Sequence, residues 1–146
     1  MKKRRATPAD RGPVLTPGLV LDAGALQALE RRPIRLLADL QRAHDLGLPI
    51  RIPAGALAQS WRGGPRSASI ARLLKHGCDV LPIDQSVAKQ IGEFIASLHV
   101  PEDGEKPDVV DAHVALTTRA TRSLVWTSDP KDVARYGVAA DYIRRI

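Results

Sequence analysis

Asp22, Asp108, Asp111 and Asp129 are the residues of this 146-residue chain best placed to do chemistry. Asp22 directly follows the apolar run Leu19-Val20-Leu21, and Asp129 closely follows Leu124-Val125-Trp126. Asp108 and Asp111 stand at i,i+3 spacing, which puts both on one face of a helix. Hard cations such as Mg²⁺ and Mn²⁺ take carboxylate and water oxygens. Carboxylates gathered at one place repel one another, and a bound cation relieves that repulsion. Such an ion activates water and stabilises the charge of a phosphodiester under attack. A plainer reading competes, because Asp at a helix start caps free amides and complements the helix dipole. For Asp108 and Asp129 capping alone is an alternative, and for Asp132 a structural or solvated role is favoured. Asp22 has no cap to explain it unless a helix begins by Gly24.

The elements that would position these residues follow from the apolar pattern. Leu19–Leu21 and Ile50–Ile52 are short apolar runs bounded by turn residues, as in buried parallel strands. Further strands are expected at Cys78–Ile83, Leu124–Trp126 and Val138–Ile143. Helices are expected between them. One starts at Ala25. One opened by Pro33 carries Ile34, Leu37, Leu40 and His44 and stops at Gly47. Pro53 opens a helix through Leu57 to Trp61, broken by Gly63-Gly64-Pro65, and Ile70, Leu73 and Leu74 mark another. Asp84 caps a helix striped by Val87, Ile91, Phe94, Ile95 and Leu98. Pro107 opens a helix carrying Val110, Val114 and Leu116, and Asp129-Pro130 starts a short one. Alternating strands and helices imply right-handed crossovers and a parallel sheet covered on both faces. In such sheets the active crevice lies beyond the carboxyl ends of the strands, which is where Asp22 and Asp129 fall.

Composition narrows the chemistry further. One domain, residues 18–146, is expected behind a flexible basic arm, residues 1–17, in which Lys2, Lys3, Arg4, Arg5 and Arg11 face only Asp10. The arm carries most of the net charge of +6 and would attract polyanions. Aromatics make up 3%, so the core must be built from Leu, Ile, Val and Ala. Cys78 stands alone, which excludes an intrachain disulfide and a cysteine cluster, and it reads as a buried small hydrophobe. His44, His76, His99 and His113 lack zinc spacing, and no Ser/His/Asp triad is arguable. No apolar run approaches the roughly 18 residues that span a bilayer, so a cytoplasmic protein without a membrane partner is expected. Arg62, Arg66 and Arg72 could meet phosphates. Trp126 reads as core or dimer interface. Trp61 reads as core, with stacking on a base as the alternative.

Three segments carry a resemblance to a known family. Leu19-Val20-Leu21-Asp22-Ala23-Gly24-Ala25-Leu26 resembles the opening motif of PIN domains, Asp111-Ala112-His113-Val114-Ala115 their third acidic motif, and Thr127-Ser128-Asp129-Pro130-Lys131-Asp132 the fourth. The motifs occur in the family's order over residues 18–146, and the chain is similar in size to the small bacterial toxins called VapC. The resemblance implies a three-layer α/β sandwich with a short central parallel sheet of about five strands. It also implies Mg²⁺- or Mn²⁺-dependent hydrolysis of RNA, homodimerisation and a cognate antitoxin. Asp22, Asp111 and Asp129 would be catalytic and, with Asp108, would hold the metal. Thr127, Ser128 and Gln59 would stand beside them, and Arg62 and Arg66 would bind RNA. Two positions depart from the pattern. Gln59 stands where the family's second acid, usually Glu, is expected, and an amide is a poorer ligand for a hard cation. Gly24 stands where many relatives carry Ser or Thr.

Two functions follow. One is an endoribonuclease toxin using a metal-activated water. The alternative is a catalytically weakened PIN-fold module that binds RNA or a partner.

Overall fold

The computed structural model describes residues 16–146. The arm expected over residues 1–17 therefore lies, but for its last two residues, outside the described residues. Five strands, β1 (Leu19–Leu21), β2 (Ile50–Pro53), β3 (Asp79–Leu81), β4 (Leu124–Thr127) and β5 (Ile143–Arg145), form one sheet. Every pairing is parallel and the order is β3-β2-β1-β4-β5. The chain steps outward from β1 to β3, then returns to the other side of β1 with β4. Right-handed crossovers, the norm for parallel strands, send the connections before and after this reversal to opposite faces. The expected α/β fold with a five-stranded parallel sheet is met.

Seven helices fill the connections among the described residues: α1 (Ala23–Ala28), α2 (Ile34–Asp45), α3 (Ala54–Ser60), α4 (Ala68–Lys75), α5 (Gln85–Ser97), α6 (Val109–Thr121) and α7 (Pro130–Arg135). β1 is buried along its whole length, because a central strand of a doubly covered sheet meets helices on both sides. α1 packs on β1 and β4, α3 on β2 and β3, and α6 on β1 and β2 beneath α5. α6 is buried nearly all round, including Ala112, Ala115, Thr118 and His113. Thr118 and Thr121 donate their hydroxyls to carbonyls one turn back, so neither is left unsatisfied. At the amino end of the sheet the Ser123 hydroxyl accepts from Gly18 N–H and from the buried Arg51, and pairs with Thr121. No helix among the described residues is long and apolar enough to cross a membrane.

Several boundaries differ from the expectation. The first helix begins at Ala23 rather than Ala25. β5 is Ile143–Arg145 rather than Val138–Ile143, because strand identity at this edge comes from pairing with β4, Val125 opposite Ile143, and not from hydropathy. Val138 is still buried, just after the turn at Tyr136 and Gly137. β3 is shorter than Cys78–Ile83 and largely exposed, as befits an edge strand, and Cys78 is only half-buried. Trp61, expected in the core, is 42% exposed. Trp126 is core, its indole N–H donating to Asp39 at 3.0 Å.

Candidate functional site

The order reversal between β1 and β4 is the topological switch point, where an open parallel sheet leaves its crevice. Leu21 lies opposite Trp126, so Asp22 leaves β1 level with Thr127 at the end of β4. Asp22 is in extended conformation and caps α1, its Oδ1 accepting from Ala25 N–H at 2.8 Å. A cap therefore does explain Asp22, because α1 starts at the very next residue. The buried Thr127 hydroxyl bonds Asp22 and accepts from Asp129 N–H at 2.9 Å, tying the two strand ends together. Asp129 caps α7 through Oδ1, which accepts from Asp132 N–H at 3.1 Å. Asp108 caps α6 through Oδ1, which accepts from Val110 and Asp111 N–H at 2.7 and 3.1 Å. In each of these caps the bonds run to Oδ1, so capping and metal ligation do not compete for the same oxygen. Three helix N-termini thus converge on one end of the sheet, and their dipoles favour negative charge there.

The carboxylates feel one another. Burial raises the pKa of Asp22, and the charge of Asp129 adds to this against the hydrogen bonds from Thr127, Ala25 and Gly24. Asp111 is pushed up to about 7, first by burial, then by a hydrogen bond and charge shared with Asp132, then by the charges of Asp108 and Asp22. The structure therefore brings Asp22, Asp108, Asp111 and Asp129 to one end of the molecule and adds Asp132. Asp132 keeps a structural role, its N–H donating to Asp129 Oδ1 and its carboxylate paired with Arg135 at 3.4 Å, and it also stands beside Asp111. The sequence did carry a signal for it, since Asp108-x-x-Asp111 and Asp129-x-x-Asp132 have the same spacing at two helix starts. Tyr136 had no such signal. Its ring is buried against Phe94, and its hydroxyl accepts from Asp108 N–H at 2.8 Å. Burial, with the nearby charges of Asp111 and Asp132, raises its pKa.

The remaining candidates divide. Ser128 is exposed beside Asp129, and its hydroxyl fills the space a Cβ on residue 24 would need. This accounts for Gly24, because a Ser or Thr there would collide with Ser128. α3 lies across the same end of the sheet. Ser60 near its finish donates to the carbonyl of Ala23 at 3.2 Å, and Gly55 near its start faces Val110 of α6 closely. Gln59 shares the stripe of Gly55 by i,i+4 spacing, but it is exposed and its amide makes no hydrogen bond among the described residues. Arg62 and Arg66 are exposed on the turn that follows α3. His113 is buried with Nδ1 unpartnered, and burial lowers its pKa, which suits a neutral packing residue. A cavity of 480 Å³ lies elsewhere, between α2 and α4, lined by residues such as Leu37, Leu40 and Leu73. None of the candidate carboxylates lines it.

The donor set fits a hard divalent cation in type: carboxylate oxygens, half-buried at Asp22 and Asp111 and exposed at Asp108 and Asp129, with Oδ2 atoms not engaged in the caps. Among the described residues no three such groups are already closed around one point. No family model matches the sequence, and no curated protein is significantly similar to it.

Proposed function

We propose that this chain is a metal-dependent endoribonuclease of the PIN type, the toxin of a toxin–antitoxin pair. The observation that supports this most is that Asp22 stands near Asp129 across Thr127, and Asp111 near Asp132, Asp108 and Asp22, at the β1/β4 switch point. Asp22, Asp111 and Asp129, helped by Asp108, would hold Mg²⁺ or Mn²⁺. When bound, such an ion lowers the pKa of water and neutralises charge on a phosphodiester. Thr127 fixes the relation between Asp22 and Asp129, and Asp111 would have to lose its proton to serve as a ligand. Ser128, Arg62 and Arg66, all exposed, would contact the phosphate backbone. A cytoplasmic homodimer with RNA as substrate and a cognate antitoxin as inhibitor completes the reading.

Exposed Gln59 and the open arrangement of the carboxylates favour a second reading, a weakened module that binds RNA or a partner without efficient turnover. One experiment separates them. Structured RNAs are incubated with Mg²⁺ or Mn²⁺, with an EDTA control and an Asp22→Asn variant. Cleavage that needs both the metal and Asp22 supports the nuclease. Binding without cleavage supports the module. Cleavage unaffected by EDTA and by Asp22→Asn removes the metal site from consideration.

A further inference from the structure

Trp61 is left 42% exposed by folding, although the only other tryptophan, Trp126, is 3% exposed. Its position is not that of a loose loop. α3 ends at Ser60, Trp61 N–H donates to Leu57 C=O at 2.8 Å, and the chain turns out in extended conformation. The turn that follows uses Gly63 and Gly64 at positive φ, which a side chain would resist. Buried Ser67 pins it, its hydroxyl accepting from Arg62 N–H at 2.8 Å and Gly63 N–H at 3.1 Å. Arg62 in turn donates to the Trp61 carbonyl at 2.8 Å. The ring is thus carried on a held turn, and Trp61 stacks on no other aromatic ring among the described residues.

Two further facts say what should cover it. The residue before Trp61, Ser60, hydrogen-bonds Ala23, the residue after Asp22, so the turn stands beside the carboxylate cluster. The segment from residue 46 to residue 78 contains no Asp or Glu, and its exposed charges are Arg62, Arg66, Arg72 and Lys75. Neither Arg62 nor Arg66 forms an ion pair among the described residues. A cluster of carboxylates repels a polyanion, so a phosphodiester strand that reaches it needs cations close by, and an exposed ring beside those cations offers a base a surface on which to stack.

We infer that Trp61, with Arg62 and Arg66, is a docking platform for single-stranded RNA, on which one unpaired base stacks while the two guanidinium groups hold the flanking phosphates. This rests on the nuclease reading above for the identity of the strand as substrate. Base stacking on an aromatic side chain is tolerant of sequence and requires the base to be unpaired. Trp61 would therefore select single-stranded over duplex regions and set how far from the platform a bond is cut.

The test reads tryptophan emission and affinity in EDTA, where metal-dependent cleavage is absent. Single-stranded RNA of about twelve nucleotides should quench the emission saturably in the wild type and in Trp126→Phe. A duplex of the same length should not. Trp61→Ala should weaken single-strand binding, followed by anisotropy of labelled RNA, by about tenfold, with the buried-tryptophan emission of Trp126 reporting that the variant is folded. Arg62→Gln with Arg66→Gln should flatten the dependence of log affinity on log salt by about 1.4, as expected when two phosphates of a single strand are no longer neutralised. Equal quenching by duplex, or unchanged affinity in folded Trp61→Ala, overturns the platform. Emission that shifts with protein concentration, and not with RNA, overturns it in favour of a contact between copies of the chain. Quenching with no cleavage under any metal keeps the platform and rejects the nuclease. Cleavage that needs Asp22 and is indifferent to Trp61 does the reverse.

Discussion

Asp111 sets the pH behaviour of the site. Folded Asp111 holds its proton to about pH 7, against an ordinary value of 3.8. Between these values the folded chain binds a proton that the unfolded chain has released, so stability falls as pH rises through the window and levels off above it. Raised Asp22 contributes with the same sign. Burial-lowered His113 acts with the opposite sign up to its ordinary value of 6.5, so the melting temperature of the metal-free protein should drop above that value, from about pH 6.5 to pH 8. Asp111→Asn should flatten that drop, as scanning calorimetry at each pH would measure, and an identical slope in the variant would assign it elsewhere. Metal affinity should run the opposite way and rise toward pH 8, because a ligating carboxyl must lose its proton. Gln59 offers a second residue-scale test. Gln59→Glu keeps side-chain length and adds an anionic oxygen on the α3 stripe that faces α6, so Mn²⁺ affinity should rise on the order of tenfold. Asp108→Asn should hurt more in the wild type than in the Gln59→Glu background, since the two positions would share one task. Calorimetric titration of the four proteins decides, and additive effects would leave Asp108 as a cap alone.

Helix caps are the element-scale device of this molecule. Asp22, Asp84, Asp108 and Asp129 each cap a helix through Oδ1. Asp84 does so at α5 without being one of the charges felt at the carboxylate cluster. Asp84→Ala should therefore cost about 1 kcal/mol of stability and leave metal binding unchanged. Asp108→Ala should cost a similar amount and also weaken the metal. The α1 start is constrained by its neighbour. A side chain at residue 24 would overlap the Ser128 hydroxyl, so Gly24→Ala should destabilise by about 1–3 kcal/mol, the usual range for overpacking. Ser128→Gly should recover much of this in the double variant. Urea unfolding of the cycle measures the coupling, and none would mean that the α1 start moves freely away from β4.

Charge is unevenly divided over the whole molecule. Acids meet at the switch point, exposed cations line the segment after α3, and the first 11 residues carry five cations against one acid. That arm lies outside the described residues, and its expected role follows from charge alone. Deleting residues 1–15 should weaken RNA binding at low salt and flatten the salt slope by about 0.7 for each phosphate the arm had neutralised, without changing the dependence of cleavage on Asp22. Binding measured from low to high salt with and without the arm tests this. An unchanged slope would leave the arm no part in RNA binding.

Features that local physics controls can be read from the order of residues. Leu19-Val20-Leu21 reads as a strand because burial on both faces demands an unbroken apolar run, and Asp84 reads as a cap because a carboxylate beside free amides has one obvious use. From such alternation the parallel sheet and the end of it that carries Asp22 and Asp129 were legible. Tertiary structure decided whatever depends on which elements meet. Asp132 joins the carboxylates because α7 starts beside α6; its spacing from Asp129 marks a helix start, and only the fold supplies Asp111 as its neighbour. Tyr136 reaches Asp108 across 28 residues of chain for the same reason. β5 falls on Ile-Arg-Arg, which has no strand-like hydropathy, because the register of β4 offers a free edge there. Trp61 was expected inside on hydrophobicity, yet the end of α3 and its glycine turn carry it to the surface beside Asp22. Side-chain type limits what a residue can do, and the sheet's order reversal between β1 and β4 brings the residues that could act together to one place.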